Sequence, residues 1–501
     1  MIFEVLKAMF TLPNLLMMNI GLAAGTIIGA MPGLNVIFAI AILLPITFGM
    51  DSLPGMYLML ASYCGATYGG SITAILINTP GTPAASATTF DGYPMAQQGR
   101  AGDALKIALV GSTIGGVLSC FALLFFAPTV AKIAYHIASP EYFTLCLFGM
   151  CAVIGMSEKN IFKGVIMSFL GLAVSTVGIS MLDGTSRFTF GNSNLLAGFR
   201  QATVILGVFA ISEVLIKLRN ISKDDIKDIS TNFQKSTLRV IDIIKHWKTI
   251  VISSVIGVVI GAIPGTGGAL SAMFSYDTAK RTSKNPENFG KGELEGVLAP
   301  ETGNNATTGA TLIPLLTLGI PGDAAVAVLL GALTMQGVTP GFALFTDGSP
   351  WVWAIMLGML LINVFMFLQG QLFIRAFVNV TKVPMIILLP CIVIATVMGA
   401  FAISNTTFDV FVMIAFGVLA YVLRRFDFPI APFVIGLVLG EIAEVNLRRS
   451  MMISKGSFMI FFTRPVSLVI LIMSALLLFM PFIKKGLAAI RAKKAAKEAE
   501  A

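Results

Sequence analysis

The sequence predicts an all-α polytopic membrane protein, and three observations carry that prediction. Of the 501 residues, 56% are hydrophobic and only 12% are charged, whereas soluble domains carry about 25% charged residues. Residues 8–50 and 52–90 contain no charged side chain, and a spanning helix needs only about 20 apolar residues. Many of the 49 Gly and 22 Pro lie inside apolar runs. We therefore expect about 11 or 12 transmembrane helices, several of them broken or re-entrant.

Apolar runs follow one another along the chain, and several are too short or too broken to cross a membrane alone. In order they are residues 14–31, 34–50, 53–77, 104–131, 142–157, 161–182, 199–216, 249–276, 308–334, 351–373, 384–404, 408–423, 429–446 and 465–483. The predicted organisation is a first transmembrane repeat at 1–216, a basic cytoplasmic linker at 217–248, a second repeat with an extra helix at 249–484, and a charged cytoplasmic tail at 485–501.

Basic residues concentrate in two segments that flank apolar spans. Residues 217–248 hold eight Lys or Arg against four Asp, and residues 484–501 hold six against two Glu. Both segments are predicted to be cytoplasmic by the positive-inside rule. Outside them the sequence has no basic domain with interleaved aromatic residues, so we expect no nucleic-acid partner. The five cysteines lie in apolar stretches without a CxxC pair, which predicts buried apolar side chains rather than disulfides or metal ligands.

Two Pro-Gly motifs recur in the same order in the two halves of the chain. GAMPG at 29–33 returns as GAIPG at 261–265, an offset of 232 residues, and NTPGT at 78–82 is echoed by GIPGD at 319–323, an offset of 241. Interrupted apolar segments at matching positions of two halves point to the binding site of a transporter. An odd number of crossings in each half would make the two repeats inverted, which the span count favours.

The first-half breaks predict a carboxylate site. Thr82 is suited to cap a helix that continues over 84–90, with Pro83 as its first residue. A helix N-terminus offers free N–H groups and partial positive charge, which suit a carboxylate. The alternative is a structural kink. The candidate substrate-binding residues in this half are Pro32, Gly33, Asn35, Asn78, Thr79, Pro80, Gly81 and Thr82.

The second-half segment GAIPGTGGALS at 261–271 lacks the GK[ST] ending of a phosphate loop, so ATP binding is excluded there. Its glycines would let the backbone approach a ligand closely, with a threonine hydroxyl beside them. The alternative is close helix packing through small residues. The candidate substrate-binding residues in this half are Gly265, Thr266, Gly267, Gly268, Pro321 and Gly322.

A polar cluster at 300–308 enters a charge-free run at 302–322 that two carboxylates bracket. Intramembrane carboxylates are costly and usually functional, and their oxygens would bind Na⁺ or carry a proton. The candidate coupling-ion residues are Glu301, Thr302, Asn304, Asn305 and Asp323. The alternatives are a water-exposed loop for Glu301 and a plain helix cap for Asp323. Because Thr82 is neutral and its counterpart Asp323 is acidic, we infer that the first half favours substrate and the second favours the ion.

The remaining polar residues predict no further chemistry. Asp91 is expected to cap a turn at the membrane surface. No nucleophile–base set or paired-carboxylate constellation appears, so we expect neither an enzyme nor a cofactor or metal beyond a coupling ion.

The motifs GAMPGL at 29–34, YGGSITAILINTPGTPAASATTFDGYPMAQQG at 68–99, GAIPGTGGA at 261–269 and APETGNNATTGATLIPLLTLGIPG at 299–322 make the chain resemble the large membrane subunit of the tripartite tricarboxylate transporters. The resemblance implies an ion-coupled importer of organic carboxylates in the bacterial inner membrane. It also implies two partners, a small membrane subunit and a periplasmic solute-binding protein. The competing functions are a passive carboxylate channel and a membrane-embedded enzyme.

Overall fold

A computed structural model describes residues 2–31, 34–135, 137–155, 161–220, 236–338, 340–341, 343–346, 350–380 and 385–479. The helices of the first part are α1 (Ile2–Met9), α2 (Leu12–Gly29), α3 (Val36–Leu43), α4 (Ser52–Ile77), α5 (Thr89–Gln97), α6 (Ala101–Ala134), α7 (Ser139–Gly155), α8 (Ile161–Ser175), α9 (Gln201–Ile205) and α10 (Ser212–Asn220). A π-helical segment, Leu206–Ile211, joins α9 to α10.

The helices of the second part are α11 (Val240–Ile244), α12 (Trp247–Ala262), α13 (Gly267–Thr282), α14 (Leu294–Ala310), α15 (Leu312–Leu318), α16 (Ala324–Met335), α17 (Ala343–Thr346), α18 (Pro350–Val380), α19 (Met385–Ser404), α20 (Thr407–Arg425), α21 (Ile430–Ile453), α22 (Ile460–Thr463) and α23 (Pro465–Phe479). Short 3-10 helices occupy Leu44–Thr47, Pro83–Ser86, Ser193–Leu195 and Pro286–Asn288. Strands β1 (Gly178–Ile179) and β2 (Ser186–Arg187) pair antiparallel.

The predicted all-α membrane fold is confirmed. Within the described residues, seven helices are long and apolar enough to span a membrane. They are α2, α4, α6, the helix Gln201–Arg219, α18, α20 and α21. Shorter apolar helices, among them α12 and α16, supply the half-length segments that the broken runs predicted. The total of about 11 or 12 crossings remains a prediction.

The chain forms two compact units, each built from separated segments. One comprises Met1–Tyr135 and Arg200–Val422, and the other His136–Phe199 and Leu423–Ala501. These units do not follow the predicted division into sequence repeats, which therefore remains a prediction about internal similarity. Linker residues 221–235 and the tail 485–501 lie outside the described part of the chain.

The smaller unit holds the β-hairpin. Arg187 forms an ion pair with Glu444 of α21, and Arg448 contacts Asp183 at 3.1 Å. Hydrogen bonds from the Ser180 and Thr185 hydroxyls lower the pKa of Asp183 below its usual range, and a hydrogen bond from Arg448 adds a smaller effect in the same direction. The carboxylate therefore stays charged and links the hairpin turn to α21.

The larger unit is organised around α4 and α14. Every residue of α14 from Gly296 to Ala310 is buried, although the helix is rich in Asn, Thr and Gly. Almost the whole of α4 is buried as well. Polar groups are tolerated at such positions because protein, rather than lipid, surrounds them and can supply hydrogen-bond partners. Helix α4 leads directly into a predicted Pro-Gly break, and α14 leads into the other one through α15.

Small residues pack α2 against α4 and α12 against α14 in equivalent ways. A Cβ added at Gly25 would lie 2.3 Å from the carbonyl oxygen of Ser62, and one at Gly257 would lie 2.5 Å from that of Gly303. The pairs are related by the offsets of 232 and 241 residues that relate the sequence motifs. Close backbone approach through small residues is typical of membrane helices, and here it repeats between the halves.

Candidate functional site

In both halves the helix that precedes the second Pro-Gly break ends with the same backbone arrangement. Asn78 ends α4 in the left-handed region at φ 54°, and Gly319 ends α15 there at φ 72°. The N–H of Thr79 donates to the Thr73 carbonyl at 3.3 Å, and that of Ile320 donates to Pro314 at 3.2 Å. Donors and acceptors are both related by 241 residues, so the second break is equivalent in hydrogen bonding as well as in sequence.

Each break is followed by a capping side chain. Thr82 accepts from the N–H of Ala85 at 3.4 Å, and Asp323 accepts from that of Val326 at 2.8 Å. The caps were expected, but the helix after Thr82 was not predicted correctly: residues Pro83–Ser86 form a 3-10 helix of four residues, and α5 begins only at Thr89. So short a helix contributes little macrodipole, which weakens the helix-dipole reason for a carboxylate at Thr82.

The first break folds back onto its own half. The N–H of Gly81 donates to the Gly70 carbonyl at 3.1 Å, and a Cβ on Gly81 would lie only 2.0 Å from the carbonyl oxygen of Gly29. Gly81 and Thr82 are buried, whereas Asn78 is exposed and Thr79 and Pro80 are half-buried. Pro32 and Gly33 lie outside the described residues.

Backbone N–H groups without an acceptor in the described part of the chain lie at the start of α13, next to Asn304 of α14 and to a segment of the first half. We call this cluster the donor cradle, and it consists of Gly267, Gly268, Asn304 and the facing segment Thr82–Ala84. Thr266 does not cap α13, because its hydroxyl donates to Ile260 and Ile263. Among the described residues, the N–H groups of Gly267 and Gly268 have no acceptor.

The side chain of Asn304 completes the donor cradle. Its Oδ1 lies 2.4 Å from the position that a Cβ would take on Gly268, and the Ala84 methyl lies 3.5 Å from the same position. Asn304 is 2% exposed, and its Nδ2 has no hydrogen-bond partner. Residues predicted separately from three parts of the sequence thus meet at the start of α13, where the Asn304 carboxamide presents its Oδ1 to Gly268 and leaves its Nδ2 unpaired.

A second cluster occupies the repeat-related position, and we call it the acidic cradle: Asp323, Tyr63 and the start of α3 at Asn35. Tyr63 is the counterpart of Asn304 at the offset of 241 residues, and it lies within electrostatic reach of Asp323. The start of α3 is capped by Asn35, which accepts from Phe38 N–H at 2.9 Å. Just as α13 packs against the 3-10 helix that follows the first break, α3 packs against α16.

The breaks of the second half also touch each other. The N–H of Gly265 donates to the Gly322 carbonyl at 2.6 Å. Gly265 has a φ of 86°, a left-handed conformation that glycine adopts without steric cost. Two predicted substrate-binding residues are therefore joined directly, and Pro321 next to them is buried.

Glu301 is fully buried in the middle of α14 and is surrounded by hydroxyl groups. It accepts hydrogen bonds from Ser71 of α4, from Thr88 next to α5, and from Ser112 of α6, the last at 2.9 Å. No Lys, Arg or His of the described residues pairs with it. The exposed-loop alternative is therefore wrong, and the buried carboxylate is stabilised by neutral donors from the first half.

The other predicted ion residues separate around α14. Asn305 lies one turn after Glu301 and donates to Ser112 at 2.8 Å. Thr302 faces Gly111 of α6, whereas Asn304 faces Gly268. Among the described residues, Asp323 hydrogen-bonds only to the start of its own helix. The predicted set therefore divides between the Glu301 cluster, the donor cradle and the acidic cradle.

Several of these positions were not identified from the sequence. Ser71, Thr88 and Ser112 each stand near other Ser or Thr residues in apolar or small-residue surroundings, and no spacing distinguishes them. Asp91 was expected to cap a turn at the membrane surface, and the turn is wrong. Asp91 lies within α5, is fully buried, and accepts from the N–H groups of Gly290, Gly292 and Glu293 at 2.8 Å and from the Tyr276 hydroxyl at 2.9 Å.

Together these features define a polytopic helical membrane protein with polar groups buried at two matched helix breaks, an arrangement typical of transporters. Residues 15–435 match the model of the tripartite tricarboxylate transporter TctA family, and the chain belongs to that family. The resemblance found in the sequence motifs is thereby confirmed.

Two relatives come from Agrobacterium vitis. An uncharacterized 52.8 kDa protein in the TAR-I ttuC' 3'region is 35% identical over 455 residues, which cover 91% of this chain and 90% of the relative. An uncharacterized protein in the TAR-II ttuC' 3'region is 40% identical over 211 residues, which cover 42% of this chain and 87% of that relative. No solved structure matches this chain.

Proposed function

We propose that this chain is the large membrane subunit of an ion-coupled secondary importer of organic carboxylates. Its family is one of tripartite transporters, which supports a small membrane subunit and a periplasmic solute-binding protein as partners. The importer would lie in the bacterial inner membrane, with the basic linker and the C-terminal tail in the cytoplasm. It works as a transporter rather than an enzyme, and its only cofactor is the coupling ion, Na⁺ or H⁺.

The observation that carries this proposal is the donor cradle. A carboxylate can accept from the free N–H groups at the start of α13, and from the unpaired Nδ2 of Asn304 when its carboxamide turns to present that atom in place of Oδ1. The helix has 16 residues, long enough for its N-terminus to attract an anion by about 0.3–1 kcal/mol, or up to about 2 kcal/mol when partly buried. No lysine or arginine is needed, which suits a substrate that must also be released.

The acidic cradle and Glu301 are the proposed ion sites. A carboxylate replaces the neutral Thr82 at the repeat-related Asp323, and a phenol replaces the amide at Tyr63. Negative charge repels a carboxylate substrate and attracts a cation. Each cradle draws on both halves of the chain, so the proposed division between substrate and ion lies between the two cradles and not, as the sequence pattern predicted, between the two halves.

Exchange of contacts between the halves supports alternating access. The segment after the second break of each half packs against the helix that follows the first break of the other half: the 3-10 helix Pro83–Ser86 packs against α13, and α16 packs against α3. If the repeats are inverted, rocking of these elements can expose the central sites to each side in turn. A passive channel would need no such matched pair of breaks.

We predict that uptake depends on an ion gradient and not on ATP. The complete complex should be reconstituted with its solute-binding protein in vesicles, and accumulation of a radiolabelled carboxylate measured. Dissipating both the Na⁺ and H⁺ gradients should abolish accumulation, while substrate counterflow should persist in a carrier and not in a channel. Undiminished accumulation without either gradient would contradict the proposal.

Asn304→Asp is expected to weaken substrate binding by about tenfold or more, because it replaces a charge-assisted donor by a repelling charge. The measurement is initial uptake against substrate concentration at a fixed ion gradient. Asn446→Asp, the same change on α21 in the other unit, is the control and should leave the apparent affinity unchanged. Equal affinities of the Asn304 variant and the unmodified protein would place the anion elsewhere.

Asp323→Asn is expected to reduce the dependence of uptake on the coupling ion more than the affinity for substrate. Asparagine caps a helix as well as aspartate does, so α16 keeps its hydrogen bond to Val326 N–H while the charge is lost. Uptake should be measured against ion concentration at saturating substrate. An unchanged ion dependence would reduce Asp323 to a helix cap and leave Glu301 as the ion site.

A further inference from the structure

A cavity of about 480 Å³ lies between α6, α18 and the linker, and none of its lining residues belongs to the donor cradle. Its wall includes Tyr68 of α4, Lys106 of α6, Ser236 of the linker, and Gln371 and Arg375 of α18. Leucines, an isoleucine and two glycines of these two helices form the rest of the lining. We call this cavity the linker pocket.

The linker is fixed to α6 at this position. Asp103 accepts from the Ser236 hydroxyl at 2.7 Å and from Thr237 N–H at 3.0 Å. Lys106 Nζ donates to the Leu238 carbonyl at 2.6 Å. These bonds hold residues 236–238 against α6, and Ser236 thereby forms part of the pocket lining.

The electrostatics of the linker pocket favour an anion. Both charged residues of its lining, Lys106 and Arg375, are cations, and no carboxylate lines it. Arg375 forms no ion pair with any residue of the described chain. The Lys106 ammonium carries three donors and uses one on Leu238, so it retains donors for a ligand, as does the guanidinium fork of Arg375.

A buried polar group supports a ligand site here. Tyr68, on the pocket wall, is 1% exposed, and its hydroxyl has no hydrogen-bond partner. Buried hydroxyls are normally bonded, so this one lacks a polar partner at the boundary between the linker pocket and the Glu301 cluster, whose carboxyl group lies within electrostatic reach of it. Gln371 and Ser236 add amide and hydroxyl groups to the same lining.

We propose that the linker pocket binds a compact multivalent oxyanion. Phosphate and carboxylate oxygens share the chemistry that Lys106 and Arg375 recognise, and the source is either a soluble anion or the headgroup of an anionic lipid. This site is additional to the donor cradle. Its existence does not depend on the proposed transport function, because binding is measured without a gradient or a transported substrate.

The test uses the full chain purified in a neutral detergent, with inorganic pyrophosphate as the probe. Calorimetric titration should show saturable binding. Arg375→Gln and Lys106→Gln should each weaken it by about tenfold or more, since each removes a charge-assisted contact. Arg375→Lys should retain more affinity than Arg375→Gln because the charge persists. In the Lys106→Gln variant Asp103 still accepts from Ser236 and Thr237, so residues 236–238 should stay in place.

Lys280→Gln, which removes an exposed charge at the end of α13, is the control and should bind pyrophosphate like the unmodified chain. Pyrophosphate binding in nanodiscs with and without phosphatidylglycerol distinguishes the two sources. If the lipid weakens pyrophosphate binding, the pocket binds a lipid headgroup; if binding is the same in both kinds of nanodisc, the pocket binds a soluble anion. The proposal is overturned if pyrophosphate does not bind, or if Arg375→Gln and Lys106→Gln bind it as tightly as Lys280→Gln.

Discussion

Glu301→Gln is expected to abolish concentrative uptake while the protein stays folded. The variant removes a buried titratable carboxyl group that accepts from Ser71, Thr88 and Ser112, but its amide oxygen still accepts hydrogen bonds. A glutamine can neither carry a proton nor neutralise a cation. The expected loss of gradient-driven accumulation is about 100-fold or more, the scale of losing one essential charged group. The measurement compares gradient-driven accumulation with substrate counterflow in vesicles.

The matched control for this prediction lies on the same helix. Glu295→Gln makes the same substitution at the start of α14, where the native carboxylate contacts His246 and Thr249 instead of the buried hydroxyls. It should accumulate substrate nearly normally. If the Glu301→Gln variant accumulates substrate as fully as the unmodified protein does, Glu301 does not couple uptake to the ion gradient. Loss of both accumulation and folded protein would show that its role is structural.

Asp91→Ala is expected to destabilise the larger unit by about 3 kcal/mol or more. It would leave the N–H groups of Gly290, Gly292 and Glu293 without their acceptor, and each buried unsatisfied group costs about 1–3 kcal/mol. The segment before α14 should loosen as a result. Thermal unfolding in detergent and limited proteolysis at residues 283–293 measure the effect.

Two further variants separate the carboxylate from its surroundings. Asp277→Ala removes an exposed acid of α13 that pairs with Arg281, and it should change stability little. Tyr276→Phe removes one donor to Asp91 but keeps the ring contacts with Phe90 and Phe289, so about 1 kcal/mol should be lost. If Asp91→Ala unfolds like Asp277→Ala, the buried contacts of Asp91 do not hold the loop.

The two carboxylates act on the same part of the fold from opposite halves of the sequence. Thr88, just before α5, donates to Glu301, while Asp91, one turn later, accepts from the loop that leads into α14. The segment 88–91 is thus bonded both to the middle of α14 and to its entrance. Protonation or cation binding at Glu301 would therefore alter the hydrogen bonds of the segment that follows residues 78–82.

The local features of this protein could be read from neighbouring residues. A scarcity of charge over long stretches determines a membrane fold, since lipid excludes unpaired charge. Pro-Gly pairs determine where helices break, and Thr82 and Asp323 determine where the next helices start, because a capping side chain bonds its own backbone three residues on. The two breaks have equivalent backbones because the same types of residue recur at both.

Tertiary structure alone decided which of these features meet. Glu301 was recognised as a candidate, but its three hydroxyl donors lie between 189 and 230 residues away along the chain. Asn304 and Gly268 became one cluster only because α13 packs against α14. Asp91 has the local sequence of a turn, yet it is buried because a distant loop supplies three N–H groups to it. Hydrogen bonds between helices depend on packing geometry, and no local pattern of residue types encodes which distant donor reaches which acceptor.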